Sequence, residues 1–288
     1  MTQVQRKVTL MAHSQLASRF ASEQALGTNV YNLWLDDNIT DGQIVALSAI
    51  RTCYSHNKPS EIARIEGKRY FTQKATDGGK GSEADRLIRT IMASKHTSTM
   101  EHSSFTFAIE GISRALLAQL TRHRVGFSFS VQSQRYVKFG SNDRSGGFDY
   151  VLPETVELNG DKPVTIYAIE RIDEDADGNI VHIEYTDEVI FEGTALEYFD
   201  YQMREIQRAY DALRALGVPA EDCRAVLPNA AACNLVMTAN LTALIGLYSK
   251  RRRGNGAQLE VAELVEDIRN AVVEVEPWAD ALFEGARH

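Results

Sequence analysis

The spacing of apolar and polar positions along the chain first predicts a set of helices. Large apolar side chains recur at three- and four-residue steps from Leu196 to Leu213, which is the pattern of a helix with one buried face. Gly217 and Pro219 follow where such a helix is expected to end. Ser82 is placed to cap the N-terminus of another helix. The other helices that this spacing predicts cover residues 83–95, 115–120, 234–249 and 259–275.

Other segments alternate between apolar and polar residues in the manner of strands. Residues 104–110 do so, and so do residues 127–139, where Ser133 and Arg135 would project from the same face. Residues 164–172 and 180–185 read as the two strands of a hairpin. We therefore predict a mixed α+β fold in which residues 1–288 form a single domain, with a β-hairpin insertion at residues 145–190.

The turn of this predicted hairpin also matches a calcium-loop pattern. The pattern D-x-D-x-D-G-x₅-E is met by Asp173, Asp175, Asp177, Gly178 and Glu184. A calcium-binding hand needs a helix on each side of the loop, whereas both flanks here read as strands. We therefore interpret the segment as a solvated acidic turn, with calcium binding as the alternative.

Composition narrows the class of protein. The chain has 288 residues, of which 44% are hydrophobic, and its net charge of −8 argues against a general nucleic-acid-binding protein. Its three cysteines lack metal-ligand spacing, which favours free thiols and a cytoplasmic protein without a metal site. The first residues do not resemble a signal peptide and no apolar run approaches 18 residues, so we expect no membrane association.

One segment carries most of the candidate chemistry. Arg122, His123 and Arg124 follow the predicted helix at residues 115–120, and Ser133 and Arg135 lie a few residues further on. A hydroxyl beside a guanidinium can hold a phosphate, and a neighbouring basic cluster can hold a second one. The segment therefore predicts a site for two anionic, ring-bearing molecules, with a basic surface corner as the alternative.

This Arg-His-Arg segment, followed by Ser-Gln-Arg-Tyr, resembles the signature of the flavin-dependent thymidylate synthases. Eight residues separate Arg124 from Ser133, one more than the family usually has, and Gly126 is the natural position for a bulge that absorbs it. Four more segments resemble family motifs in the family's order: His96–His102, Gln119, Gly217–Pro228, and Arg252 ahead of Ala257–Glu260.

The resemblance implies a function and an α+β fold of the flavin-dependent thymidylate synthase type. It implies that dUMP is methylated at C5 to dTMP, with methylenetetrahydrofolate as carbon donor and NADPH-reduced FAD as reductant, in a homotetramer. Arg252 would be catalytic by stabilising charge on the uracil ring. The residues implied to bind dUMP are Gln119, Arg122, Ser133, Gln134, Arg135, Arg224 and Arg252. Those implied to bind FAD are His96, Ser98, Arg122, His123, Arg124 and Asn240.

Departures from the family pattern keep alternatives open. Val131 stands where the family has an acidic or amide residue, and Thr242 stands where it has an arginine. A relative with the same fold that hydroxymethylates a pyrimidine nucleotide, or that methylates UMP, is the first alternative. A single-stranded nucleic-acid-binding protein, with Phe127, Phe129 and Tyr136 as stacking platforms, is the second. The catalytic arginine could instead be Arg251 or Arg253, or Arg252 could belong to an exposed basic helix end that interacts with the helix dipole. Arg224 could instead form a helix-capping ion pair with Glu221.

Overall fold

The computed structural model describes residues 1–25 and 39–286, and within them the chain forms six strands and eleven α-helices. The strands are β1 (Lys7–His13), β2 (Ser104–Ser113), β3 (Phe127–Val131), β4 (Pro163–Glu174), β5 (Ile180–Thr194) and β6 (Ala232–Asn240). The helices are α1 (Ser18–Ala25), α2 (Asp41–Tyr54), α3 (Ile62–Thr72), α4 (Glu83–Ala93), α5 (Arg114–Leu120), α6 (Glu154–Leu158), α7 (Ala195–Ala215), α8 (Ala220–Cys223), α9 (Leu241–Arg251), α10 (Leu259–Val275) and α11 (Asp280–Gly285). The predicted α+β class is confirmed.

The chain divides into two compact units. The first unit comprises Met1–Gln5, Gly111–Ala115 and Gln132–Cys233, and the rest of the chain forms the second. The predicted insertion at residues 145–190 lies within the first unit, and its description as an insertion into one domain stays a prediction. Among the described residues, no helix combines the length and the apolar character needed to cross a membrane.

The second unit contains a four-stranded sheet with the order β1-β2-β6-β3. The pairs β1–β2 and β3–β6 are antiparallel, and β1 carries a bulge between Leu10 and Ala12. On β2 the side chains of Phe105, Phe107 and Ile109 are buried, while the residues between them are more exposed. The strand predicted at residues 104–110 is therefore confirmed, with its apolar face on the core.

The helices around this sheet follow the predicted pattern closely. Helix α4 begins with a reciprocal capping box between Ser82 and Asp85, and buries Ile88 and Ile91. Helix α10 has the predicted bounds of residues 259–275 and buries one apolar face. Capping and periodicity are local properties, so the sequence was sufficient to predict both helices.

The helix predicted at residues 234–249 is wrong in its first half. Residues up to Asn240 belong to β6, and α9 begins only at Leu241. Burial alternates along β6, with Leu235 and Met237 buried and Val236 between them exposed, which is the period of a strand. Asn240 ends the strand and starts the helix, because its Oδ1 accepts a hydrogen bond from the N–H of Ala243 at 2.8 Å.

The first unit is built around α7. Its N-terminus carries a capping box between Thr194 and Glu197. At its C-terminus Gly217 takes a φ of 86°, and the N–H of Val218 reaches back to the carbonyl of Leu213 at 3.1 Å. The predicted end of this helix is confirmed. The unit's core consists of Phe139, Phe148, Tyr150, Met203, Tyr210, Cys223 and Ala231.

The hairpin β4–β5 confirms the two strands predicted on either side of the acidic turn. In that turn Asp175 Oδ1 accepts hydrogen bonds from the backbone N–H groups of Asp177 at 2.9 Å and Asn179 at 2.8 Å. Hydrogen bonds from the Asn179 side chain and backbone lower the pKa of Asp175. Within residues 1–25 and 39–286, no group of three or more metal-ligating side chains is arranged to hold an ion. The interpretation as a solvated acidic turn stays a prediction.

Candidate functional site

The predicted site residues fall in both units. The second unit holds His96, Ser98, Gln119, Arg122, His123, Arg124, Asn240 and Arg252. The first unit holds Ser133, Gln134, Arg135 and Arg224.

The turn after α5 presents two arginines to solvent. The N–H of His123 donates to the carbonyl of Leu120 at 3.1 Å, which closes the last helical turn. The side chains of Arg122 and Arg124 are exposed, and neither has a hydrogen-bond or ion-pair partner within the described residues. Two such guanidinium groups, separated in sequence by His123, suit the binding of a phosphorylated ligand.

His123, between these arginines, has a lowered pKa, which favours its neutral form. Arg251 Nε donates a hydrogen bond to His123 Nε2 at 3.3 Å. Burial lowers the pKa of His123 first of all, and the positive charges of Arg251 and Lys250 lower it further. Because Nε2 acts as an acceptor, the proton of the neutral ring lies on Nδ1. Positive charge in this turn therefore comes from the two arginines, and His123 can offer a hydrogen-bond donor.

Gly126 sets the path of the chain between this turn and β3. Its φ is 77°, and a Cβ there would lie 2.8 Å from both Ala243 Cβ and Asn240 Nδ2. The N–H of Asn240 donates to the Gly126 carbonyl at 3.2 Å. The pairing of β3 with β6 runs without a register shift, so Gly126 forms a turn and the expected bulge is absent from this pairing. The turn thereby packs against the start of α9.

The three consecutive arginines at the end of α9 differ in their contacts. Arg251 contacts His123, and Arg253 forms an ion pair with Glu263 on α10. Arg252 is half-buried and ends α9, where its N–H donates to the carbonyl of Tyr248 at 2.9 Å. The Arg252 side chain also has a contact, since its Nη1 donates to the carbonyl of Arg253 at 3.5 Å, and Arg252 remains the catalytic candidate by its motif position alone.

Two motif segments far apart in sequence meet at Gln119. Its Nε2 donates to Gln258 Oε1 at 2.6 Å, across 139 positions of sequence. Gln258 belongs to the Ala257–Glu260 segment that resembles a family motif. This contact orients the amide of Gln119, and the sequence alone did not predict it.

The segment that begins at His96 is shaped by an unusual backbone position. Lys95 takes a φ of 63° after α4, where glycine is usual, and the N–H of His96 donates to the carbonyl of Ile91 at 3.2 Å. His96 Nδ1 then lies 3.0 Å from the hydroxyl of Tyr54. Thr242, at the position where an arginine was expected, donates to the carbonyl of Thr97 at 2.9 Å. The short threonine thus joins α9 to this segment.

Ser98 lines a cavity of about 810 Å³ within the second unit, a volume in the usual range for a ligand site. Apolar residues of α1 and α2 form one side, and Glu101 and His102 contribute polar groups on the other. His102, which belongs to the same motif segment as His96, is exposed and lines this cavity.

The strand predicted at residues 127–139 ends at Val131 in the second unit, whereas Ser133 and Arg135 lie in the first. The expectation that Ser133 and Arg135 share one strand face is therefore wrong. The N–H of Arg135 donates to Ser133 Oγ at 3.2 Å, and that of Val137 donates to the Ser133 carbonyl at 2.9 Å. These local hydrogen bonds replace strand pairing with a turn. Gln134 within the turn is buried.

Glu221 pairs with Arg135 and not with Arg224. Arg135 Nε lies 3.0 Å from Glu221 Oε2, with both side chains about half exposed. The alternative ion pair between Arg224 and Glu221 is therefore wrong. Arg224 is exposed, and its side chain has no polar partner in the described part of the chain. The first unit thus offers a free guanidinium and a paired one.

Comparison with known proteins now identifies the family. The family described as "Thymidylate synthase complementing protein" matches residues 35–278. A flavin-dependent thymidylate synthase from Geobacter sulfurreducens is 36% identical over 68% of this chain and 68% of its own length. One from Halobacterium salinarum is 33% identical over 73% of this chain and 78% of its own length.

Two solved structures share the fold. A UMP/dUMP methylase, PolB, from Streptomyces cacaoi bound with 5-Br dUMP has a TM-score of 0.60 and 19% identity, covering 99% of this chain and 96% of its own. Thymidylate synthase X from Helicobacter pylori with FAD and dUMP has a TM-score of 0.52 and 20% identity, covering 98% of each chain.

The fold is thus the one found in thymidylate synthase X and in the UMP/dUMP methylase. Sequence similarity is more specific, and the chain belongs to the flavin-dependent thymidylate synthase family, which confirms the resemblance inferred from its motifs. Family membership sets aside the single-stranded nucleic-acid-binding alternative. Two of its three proposed stacking platforms, Phe127 and Phe129, are half-buried and stack on each other at 5.7 Å.

Proposed function

We propose that this protein methylates dUMP at C5 to give dTMP, with methylenetetrahydrofolate as the carbon donor. The family match over residues 35–278 carries this proposal. FAD, once reduced by NADPH, supplies the reducing equivalents. A homotetramer and a cytoplasmic location complete the proposal, and the three free cysteines support a reducing compartment.

The described residues fit the binding of FAD. The exposed guanidinium groups of Arg122 and Arg124 are available to its pyrophosphate, and the neutral His123 can donate from Nδ1. Ser98 and the cavity beside it lie in the same unit. Asn240 is engaged as a helix cap through Oδ1, so only its Nδ2 is left to donate to a ligand.

For dUMP, the residues supply cations and amides. Arg224 and Arg135 are the phosphate candidates, and Gln119 offers an amide held by Gln258. Arg252 stays protonated at any working pH and can stabilise negative charge that develops at the N3/O4 edge of the uracil ring. The ring is thereby made a better nucleophile at C5 without a covalent protein nucleophile.

The test is an Arg252→Ala substitution. Methylation should fall by about two to three orders of magnitude, because a cation aimed at developing charge is lost. FAD should stay bound and reducible by NADPH, and Arg252→Lys should rescue only in part, since a point charge cannot reproduce the planar fork. Arg253→Ala, which removes the ion pair with Glu263, is the matched control and should stay active. Normal methylation by Arg252→Ala would exclude this role.

UMP is the alternative substrate. The likeness to the UMP/dUMP methylase PolB in fold, and the extra residue between Arg124 and Ser133, favour this second candidate. Turnover of UMP and dUMP in the same assay separates the two, and identification of the product by mass distinguishes methyl from hydroxymethyl transfer. Faster turnover of UMP would overturn dUMP as the substrate.

A further inference from the structure

The hairpin β4–β5 exposes four apolar side chains on one face. Tyr167 pairs with Val189 across the strands and Ile169 pairs with Tyr185, and residues paired in this way share a face. Tyr167 and Ile169 are two positions apart on β4 and therefore point the same way. Tyr167, Ile169, Tyr185 and Val189 are 44%, 51%, 57% and 45% exposed, respectively. We call these four residues the apolar strip.

The opposite face of the hairpin is the one that packs on α7. Ile166 pairs with Phe191, and the Phe191 ring lies 5.2 Å from the rings of both Tyr198 and Tyr201. Ile166 precedes Tyr167 directly on β4, so it points to the reverse of the apolar strip. The register shifts at this step because β5 has one extra residue, Ile190, and Phe191 therefore faces away from Val189 although the two are only two positions apart. A two-stranded ribbon is marginally stable alone, and a contiguous exposed apolar surface on a folded protein marks an interaction site.

The same hairpin carries the charge imbalance of the whole chain. Residues 163–194 contain nine Asp and Glu and a single Arg, a net charge of −8, and the whole chain also has −8. The remaining residues therefore sum to zero. The one cation, Arg171, is itself paired with Asp173 at 2.7 Å. The apolar strip is thus surrounded by an almost purely acidic segment.

We propose that the apolar strip and its acidic surroundings form a docking site for a polypeptide partner that presents apolar side chains flanked by lysine or arginine. Charge complementarity favours such a partner. Two copies of the hairpin, each with a net charge of −8, would repel each other, and the hairpin would repel nucleic acid for the same reason. Both β4 and β5 are edge strands of a two-stranded sheet, so an extended basic segment can add to either edge.

The test uses the full chain and a defined probe, a fluorescent peptide of alternating valine and lysine. Fluorescence anisotropy should show saturable binding at one peptide per chain, weakening as salt is raised. The double substitution Ile169→Ser and Tyr185→Ser should lower affinity about tenfold or more, because two large side chains lose their apolar contact. Leu216→Ser, at a residue 81% exposed outside the hairpin, should leave affinity unchanged.

Charge is tested separately with Asp187→Asn and Glu188→Gln, which should also weaken binding while the apolar strip stays intact. Equal binding of a serine–lysine peptide would show attraction by charge alone and overturn the proposal. So would failure of the valine–lysine peptide to bind the unmodified chain. Sedimentation velocity completes the test: if the oligomer dissociates when the apolar strip is changed, a second copy covers the strip and the basic partner is excluded.

Discussion

Replacing Gly126 by alanine tests how the candidate flavin-binding turn is fixed to the fold. A side chain at a φ of 77° costs about 1–2 kcal/mol, because the left-handed region is unfavourable for L-residues. The new Cβ would also lie 2.8 Å from Ala243 Cβ and Asn240 Nδ2, well inside normal contact distance. Asn240 must move to relieve this close contact, and its hydrogen bond that caps α9 is then lost. The loss of this cap lowers the free energy of unfolding by about 1 kcal/mol more.

Gly78 provides the matched control. It lies in the same unit with a φ of 75°, and a Cβ there would meet nothing within 4 Å. Gly78→Ala should therefore lower the free energy of unfolding by only the backbone cost, about 1–2 kcal/mol, and Gly126→Ala by about 2–3 kcal/mol. Chemical denaturation followed by circular dichroism measures both.

The two variants should also differ in flavin content. Because Gly126 positions the Arg122–Val125 turn against α9, Gly126→Ala should lose FAD on gel filtration, whereas Gly78→Ala should keep it. If both variants lose the same free energy of unfolding and both retain FAD, the close approach at Gly126 does not matter, and the reasoning from Asn240 and Ala243 is refuted.

The remaining predictions concern charge. Arg124→Ala should release FAD, because the FAD pyrophosphate loses a charge-assisted hydrogen bond worth about 1.5–3 kcal/mol. Arg208→Ala, at another exposed arginine, should not release it. Unchanged flavin absorbance in Arg124→Ala would remove Arg124 from the site. The pKa of native His123 is below its ordinary 6.5, mainly because of burial, so the unfolded chain takes up a proton first as pH falls through 6.5 and the free energy of unfolding decreases. Arg251→Met should make this dependence shallower without abolishing it, because it removes the second cause only, and identical pH profiles would contradict a contribution from Arg251. Glu221→Gln should release Arg135 from its ion pair and lower the KM for dUMP. The decrease should be at most about fivefold, since a half-exposed ion pair is worth roughly 0–1 kcal/mol. A raised KM would show instead that Glu221 positions Arg135 for binding.

Elements with a strong period were predictable because their determinants are local. Helix α7 carries both an amphipathic pattern and a glycine at its end, and α10 repeats apolar residues along its whole length. The hairpin β4–β5 has alternation on both sides of a turn-forming segment. In each case propensity, capping and pattern agree, which is when sequence-based prediction succeeds.

The errors came where two local signals competed. Residues 234–240 are apolar enough to extend a helix, and only the alternation of burial and the cap at Asn240 separate β6 from α9. At Ser133 the strand pattern continued, but a serine side chain that accepts the N–H of Arg135 offers the backbone a turn instead. Whether residues 234–240 form a helix or a strand, and whether Ser133 lies in a strand or a turn, depends on tertiary contacts that the local pattern does not contain.

The site's side-chain pairs could not be predicted at all, because they join residues distant in sequence. Gln119 meets Gln258 across 139 positions, and His123 meets Arg251 across 128. Motif order placed each of these segments near a site, but which side chains pair depends on how α5, α9 and α10 pack. The motifs therefore name candidate residues, whereas the partners of their side chains come only from the structure.

The arginines of the candidate site fall into two groups, those whose side chains contact another residue and those that are exposed without a partner among the residues that the structure describes. Arg251 contacts His123 and, after burial, helps to lower its pKa; Arg253 forms an ion pair with Glu263 on α10, and Arg135 is paired with Glu221. An arginine engaged in this way has one of its nitrogens held in a contact and is less free to turn towards a phosphate, whereas an exposed guanidinium without a partner keeps all its N–H donors available. Arg122, Arg124 and Arg224 are of the second kind within the described residues. Affinity for anionic ligands should therefore depend most on these three, and the paired arginines should contribute mainly by fixing the geometry around them.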